Sequence, residues 1–329
     1  MTRFFQDPEL RAVLLGVLAL LTVASVVVAV LRRRVATEAG RAVVDNLALR
    51  VKAWWAMVAV LALTLATGGV GSVLLFGATS FLALREFATL SPATASDHSA
   101  LTWAFFVVIP VQYLFVWLGL YGMVVLFIPV YVFLFAPVRS AATGDTQDFL
   151  GRAAAIHWGL MVCVYCVSYA PLLLSLAIPG FEGQTIKLLI FLIVVVQLSD
   201  VLQYVVGKTV GRRPLAPRVS PNKTWEGLVG GVLGATAIGA GLWWMTPFSP
   251  LAAGAVSLLI AVAGASGGLV MSAVKRDRGA KDFGALIPGH GGVLDRIDSV
   301  CFAAPVFFHV TRFFYVTRPD ALPAFLGLG

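Results

Sequence analysis

The chain has 329 residues, of which 59% are hydrophobic and only 12% are charged. Soluble domains are about 45–50% apolar and about 25% charged, so this composition excludes an ordinary soluble globule, a disordered protein and a fibrous protein. The charges are also clustered, with none between Asp97 and Arg139 and none between Arg152 and Glu182. Unbroken apolar runs of this length predict an all-α polytopic membrane protein, because helices satisfy their own backbone groups in lipid.

About ten transmembrane helices are predicted along the chain. They lie near residues 12–31, 53–67, 69–87, 102–118, 120–137, 154–178, 187–207, 224–246, 251–273 and 299–316. The second and third are short, and we expect a tight hairpin between them around Gly68, Gly69 and Gly71.

The basic residues predict the orientation of these spans. If the 32–52 loop is cytoplasmic and the spans alternate, all but five of the 24 Lys and Arg residues lie on the cytoplasmic side. The exceptions are Arg3, Arg11, Lys187, Arg312 and Arg318. We therefore expect the N-terminus outside, the two polar loops near the C-terminus in the cytoplasm, and a basic face that attracts anionic lipid.

The first of these polar loops follows the seventh predicted span. Ser220-Pro221 is typical of an N-cap followed by proline in the first helical turn, so we expect a helix start that can bind phosphate, with Lys223 beside it. Asp200 lies near the cytoplasmic end of the span, where an ionisable side chain is costly and usually functional. It is expected to bind a metal or, alternatively, to pair with Arg212 or Lys208.

The second polar loop, residues 275–298, contains five basic residues, four aspartates and one histidine. Asp295 and Asp298 are three residues apart and share a helical face, which suits Mg²⁺ held by carboxylates and substrate phosphates. The glycines around His290 let the backbone approach an anion. This combination is typical of phosphoryl or nucleotidyl transfer. The alternative is a charged interfacial loop whose ions pair with each other.

These residues resemble the signature of phosphatidate cytidylyltransferases, also called CDP-diacylglycerol synthases. The matching positions are Ser272, Lys275, Arg276, Lys281, Asp282, His290, Gly291, Gly292, Asp295, Arg296 and Asp298. The stretch 215–227 is similar to a second hallmark of that family, and the resemblance covers roughly residues 50–317. It implies a membrane-embedded cytidylyltransferase domain at 53–329, preceded at 1–52 by an additional transmembrane helix and a basic cytoplasmic loop.

The resemblance implies transfer of the cytidylyl group of CTP to phosphatidic acid in phospholipid biosynthesis, dependent on Mg²⁺, with a second metal or a monovalent cation left open. It also implies membrane lipids as partners and a homodimer in at least some members, and no nucleic acid is expected. The apolar N-terminus and the one-sided basic loops suit a multi-pass protein of a bacterial inner membrane, with an organelle membrane as the alternative. Expected catalytic residues are Lys275, Arg276, Lys281, His290 and Arg296. Expected substrate-binding residues are Ser220, Asn222, Lys223, Thr224, Tyr204, Ser272, Gly291 and Gly292. Expected metal ligands are Asp295, Asp298, Asp200 and Asp282.

Two positions depart from the family pattern. Gly268 and Met271 stand where family members carry an acidic residue four before the signature serine and often a glutamate directly before it. Candidates to supply the missing carboxylate are Asp200, Asp277 and Asp298. Alternatively, the Gly264-x-x-x-Gly268 spacing lets two helices pack closely.

The departures suggest a divergent branch and leave two other functions open. One is a related CTP-dependent transferase that acts on a different lipid phosphate, and the other is a catalytically silent family member. A transporter is disfavoured, because its charges would lie at mid-bilayer on broken helices rather than on one face.

Overall fold

The computed structural model describes residues 7–35, 37–91 and 97–317. Arg3 and Arg318, which the predicted orientation places outside, lie beyond these residues. The described part of the chain forms ten long helices and one small sheet. In chain order they are α1 (Pro8–Arg34), α2 (Glu38–Ala66), α3 (Gly69–Leu90), α4 (His98–Trp117), α5 (Tyr121–Val138), α6 (Phe149–Ser175), α7 (Ile186–Val210), β1 (Pro214–Ala216), β2 (Ser220–Thr224), α8 (Trp225–Gly241), α9 (Pro250–Asp277) and α10 (Leu294–Val316).

Within the described residues, nine of these helices are long and apolar enough to cross a membrane. The remaining helix, α8, has 17 residues, and at a rise of about 1.5 Å per residue it is roughly 25 Å long. A single 3₁₀ turn at Trp243–Met245 follows it. The predicted all-α polytopic membrane protein with about ten helices is therefore confirmed.

The N-terminal region differs from the sequence prediction. The predicted loop at 32–52 is wrong, because α2 begins at Glu38 and only residues 35–37 separate it from α1. Thr37 caps α2 by accepting a hydrogen bond from Gly40 N, and the Ala, Leu and Arg residues that follow favour a helix. The second span is consequently a 29-residue helix rather than a short one. The predicted hairpin is confirmed, since Gly68, with a φ of 76°, lies between α2 and α3.

The β-hairpin also replaces a predicted helix start. Ser220 and Pro221 belong to β2, which pairs antiparallel with β1, and α8 begins only at Trp225. Thr224 is the actual N-cap, because its Oγ1 accepts a hydrogen bond from Gly227 N at 3.1 Å. The prediction was wrong because proline is as compatible with an edge strand as with a first helical turn, and strand pairing decided between them.

The last four helices bring the two polar loops to the same end of the molecule. α7 packs against α8, α8 against α9, and α9 against α10. Glycines permit the close approach: a Cβ at Gly227 would lie 2.8 Å from the carbonyl oxygen of Gln203, and one at Gly267 would lie 2.7 Å from that of Asp298. The α7–α8 connection and the α9–α10 connection are therefore neighbours.

Candidate active site

The connection between α9 and α10 is closed by a buried ion pair. Lys275 Nζ donates to Asp295 Oδ1 at 2.7 Å, and only 9% of Lys275 and 5% of Asp295 are exposed. Asp295 Oδ2 accepts from the backbone N–H groups of Phe283 at 2.8 Å and Gly292 at 2.9 Å. One aspartate therefore holds both ends of the loop at the start of α10, and both of its oxygens are engaged.

Glycine is required where this loop turns. Gly289 and Gly291 have φ values of 75° and 82°, a region that side chains rarely adopt. Ile287 N donates to the carbonyl oxygen of Gly291 at 2.8 Å across the turn. A Cβ at Gly291 would lie 2.8 Å from Asp295 Oδ2. Gly291 therefore serves two needs, the turn itself and the close approach of the carboxylate.

His290 lies in this turn, edge-on to Trp54 of α2 with 6.2 Å between the ring centroids. Burial lowers the pKa of His290 to about 4, with the cations of Arg296 and Arg50 acting in the same direction. The imidazole is therefore neutral at neutral pH and can serve a phosphate only as a hydrogen-bonding group. Arg50 also donates through Nε to the carbonyl oxygen of Gly289 at 3.1 Å. From the sequence, Arg50 was predicted only as one of the basic residues of the 32–52 loop, and this contact was not predicted.

Two further carboxylates meet between α7 and α10. Asp200 of α7 interacts electrostatically with Asp298 of α10, and Ser299 hydrogen-bonds to it. Asp298 Oδ1 accepts from the backbone N–H of Ser299 at 2.8 Å. Two like charges at short range are unfavourable unless cations accompany them. Lys223 and Arg296 supply that charge, since both interact with both aspartates.

Lys223 reaches the aspartates through a gap that Gly268 leaves in α9. A Cβ added at Gly268 would lie 3.0 Å from Lys223 Nζ and 3.8 Å from Asp298 Oδ2. An ammonium group thus occupies the space beside the position where the resemblance expects an acidic side chain. Because Lys223 belongs to β2, this contact joins the first polar loop to the second.

The remaining predicted site residues either bond to groups close to them in the chain or are exposed or half-buried. Ser272 Oγ donates to the carbonyl oxygen of its own helix at Gly268, 2.6 Å away, and Arg276 donates to that of Ala280 at 2.7 Å. Asp277, a candidate for the missing carboxylate, is exposed and pairs with Arg278. Ser220 is half-buried at the start of β2. Exposed residues among the predicted site residues are Tyr204, Asn222, Arg276, Lys281 and Asp282.

Glu86, near the end of α3, contacts the site although no sequence prediction named it. Its carboxylate accepts hydrogen bonds from Val293 N and Leu294 N, each at 2.9 Å. These partners are 207 and 208 residues away along the chain. The signal available in the sequence was an ionisable residue close to the end of an apolar run.

The donor set suits a metal that also binds substrate. Among the residues that the structure describes, no group of three or more His, Cys, Asp or Glu side chains could hold a metal ion. Mg²⁺ is commonly held by one or two carboxylates together with substrate phosphates and water. Asp200 and Asp298 fit that arrangement, and Asp295 beside them already accepts hydrogen bonds from Lys275 and from two backbone N–H groups.

Comparisons with known proteins cover the part of the chain that contains both polar loops. The model of the cytidylyltransferase family matches residues 48–314, which include both polar loops. The uncharacterized protein YnbB of Escherichia coli (strain K12) is 40% identical over 271 residues, covering 80% of this chain and 87% of the relative.

Phosphatidate cytidylyltransferases are also similar over shorter stretches. That of Brucella abortus biovar 1 (strain 9-941) is 37% identical over 169 residues, which is 49% of this chain and 59% of the relative. That of Bacillus subtilis (strain 168) is 34% identical over 179 residues, or 54% and 62%. Because the family model spans most of the chain, this protein belongs to the cytidylyltransferase family and is a nucleotidyltransferase of the membrane.

Proposed function

We propose that this protein transfers the cytidylyl group of CTP to phosphatidic acid, giving CDP-diacylglycerol and pyrophosphate, at the cytoplasmic face of a bacterial inner membrane. The observation that carries the proposal is the meeting of acidic and basic side chains from both polar loops at one end of the helices. Nucleotidyl transfer needs both charges, because acidic groups hold a metal and cations stabilise the phosphates in the transition state. The residues concerned are Asp200, Asp295 and Asp298 with Lys223, Lys275 and Arg296.

The proposed reaction makes modest demands on the protein. A phosphate monoester with a second pKa of about 6 is largely dianionic at neutral pH, so the acceptor needs no strong general base. One of its oxygens attacks the α-phosphorus of CTP and forms a new P–O bond. The bond from the α-phosphorus to the bridging oxygen breaks, and pyrophosphate leaves with that electron pair. The protein then has to align the two substrates and offset their negative charge.

The side chains divide this work between them. Lys223 and Arg296, which interact with both aspartates, are proposed to offset phosphate charge. Lys275 and Asp295 keep the glycine-rich loop closed beside them. Asp200 and Asp298 would hold Mg²⁺, which when bound neutralises the charge of the phosphates. His290 contributes hydrogen bonds rather than charge, since its pKa is about 4.

Because Gly268 lacks the acidic side chain that the resemblance expects, the surroundings of the aspartates beside Lys223 are more positive than the family pattern implies. That feature favours a second candidate, a CTP-dependent transferase acting on a different lipid phosphate. The aspartate pair argues against a silent member, because a silent member has no need to keep two aspartates adjacent against their repulsion.

Purified protein in lipid nanodiscs, given CTP labelled at the α-phosphate, tests the proposal. We expect labelled CDP-diacylglycerol with phosphatidic acid and Mg²⁺, and no product with diacylglycerol or with EDTA. Product with a prenyl phosphate but not with phosphatidic acid would support the second candidate. No product with any lipid phosphate, together with no Mg²⁺-dependent CTP binding, would contradict both.

A further inference from the structure

Glu86 binds the start of α10 from a helix that belongs to neither polar loop. Its two carboxylate oxygens accept separately from Val293 N and Leu294 N, both at 2.9 Å. The N-cap position of α10 is Val293, whose side chain makes no capping hydrogen bond. The first N–H groups of a helix have no partner within the helix. A carboxylate from α3 therefore does for α10 what a Ser, Thr or Asp at the N-cap does in most helices.

The glycine-rich loop is shaped around this carboxylate. A Cβ at Gly284 would lie 2.7 Å from Glu86 Oε1, and a Cβ at Gly292 would overlap Oε2. Two glycines are thus needed for the loop to pass so close to Glu86. This contact explains why glycine is needed at position 292, and the substrate-binding role of Gly292 stays a prediction.

Glu86 and Asp295 accept hydrogen bonds from different backbone N–H groups of the loop. Asp295 holds the N–H groups of Phe283 and Gly292, and Glu86 holds the next two, those of Val293 and Leu294. Asp295 is part of the segment that it fixes, so it sets the shape of the loop. Glu86 is anchored in α3, so it sets where the loop and α10 lie relative to the other helices.

We propose that Glu86 is a positioning residue for the transfer reaction, which makes this inference dependent on the proposed function. It fixes the first turn of α10, and with it Arg296 and Asp298, opposite Asp200 on α7. It acts through α10 and needs no contact with either substrate. Displacing reacting groups by about 1 Å can cost about 100-fold in rate even when the change lies away from the chemistry.

Graded substitutions at Glu86 test the role by turnover. In Glu86→Gln one neutral oxygen can still accept a hydrogen bond, and in Glu86→Ala none can. We expect kcat to fall by roughly 10-fold in the first and by about 100-fold in the second, with KM for CTP changed by less than about threefold. Glu182→Gln is the matched control, because Glu182 also accepts from a backbone N–H, that of Gly180, in the loop between α6 and α7. Its kcat should equal that of the wild type.

Hydrogen–deuterium exchange of the 283–296 peptide tests the same role without turnover. Exchange should rise in Glu86→Gln and further in Glu86→Ala, and should stay unchanged in Glu182→Gln. Unchanged exchange in Glu86→Gln, or raised exchange with an unchanged kcat, would overturn the proposal. If the wild type transfers cytidylyl to no lipid phosphate, the proposed function fails, and exchange still reports whether Glu86 holds α10. Because Gln matches Glu in size, the test does not depend on Glu86→Ala folding.

Discussion

Two buried lysines lie in contrasting surroundings. Lys187, at the start of α7, is 3% exposed and pairs with Asp7 at 2.9 Å and with Glu9, both from the start of α1. Lys275, near the end of α9, is 9% exposed and pairs with Asp295. The Lys187 cluster ties two helices together, whereas the Lys275 pair lies beside a glycine-rich loop and two further aspartates.

The contrast shows that a buried ion pair does not by itself indicate a functional site. Such pairs are weak evidence even for stability, because desolvation offsets much of their attraction. The Lys275 region is distinguished by Asp200 and Asp298, which are held close together despite their repulsion. An arrangement that costs free energy and is nevertheless kept favours function. Substitutions can separate the two regions by their effects on turnover and on stability.

The largest effect on turnover is expected at the aspartate pair. Asp298→Asn removes a proposed metal ligand with almost no change in volume, and we expect kcat to fall by about 100- to 1,000-fold, as when a group that stabilises transition-state charge is lost. The thermal midpoint should change little, because the lost attraction to Lys275, Lys223 and Arg296 is offset by the relief of desolvation and of the repulsion with Asp200. Labelled-CTP turnover and thermal unfolding in nanodiscs measure both. Asp277→Asn, an exposed aspartate close to the same loop, is the control, and wild-type turnover in Asp298→Asn would exclude the metal role.

A smaller effect is expected at the gap that seats Lys223. Gly268→Ala places a Cβ about 3.0 Å from Lys223 Nζ, so the ammonium group has to move by a few tenths of an ångström. We expect a loss of roughly 10-fold or less in kcat/KM, within the 1.5 kcal/mol or so that one charged hydrogen bond contributes. Steady-state kinetics with CTP measure the loss. In Gly254→Ala, at the other end of α9, the new Cβ makes an ordinary 3.4 Å contact with Ala240, and an equal loss there would contradict the explanation.

The Lys187 cluster should behave in the opposite way. Lys187→Met removes the cation from Asp7 and Glu9, whose side chains are 24% and 37% exposed and can regain water. We expect the free energy of unfolding to fall by about 1–3 kcal/mol, with kcat within about twofold of the wild type. Thermal unfolding, with exposed Lys208→Met of the same helix as the stability control, measures the fall. A kcat loss as large as that of Asp298→Asn would make the Lys187 cluster part of the site.

Local patterns in the sequence predicted the helices and the polar residues, but not the contacts that cross the fold. The apolar runs gave the number of spans, and the spacing of Asp295 and Asp298 placed both near the start of α10. Pattern failed at Ser220-Pro221, because the same residues suit a helix start and an edge strand. It failed at Glu86 and Arg50 for a different reason. Their partners are backbone groups more than 200 residues away, and backbone groups carry no sequence signal.

The last prediction concerns His290 and pH, where turnover at neutral pH is not expected to change. Its pKa is about 4 in the folded protein and about 6.5 when unfolded, so between these values the unfolded chain binds the additional proton. Stability should therefore fall as the pH drops from about 6.5 toward 4, because protonation places a third cation beside Arg50 and Arg296. In His290→Gln, which lacks the titrating group, the thermal midpoint should depend less on pH across that range. The control His98→Gln should keep the wild-type slope, since His98 is exposed. Equal slopes in the wild type and His290→Gln would mean that His290 is not held neutral by its surroundings.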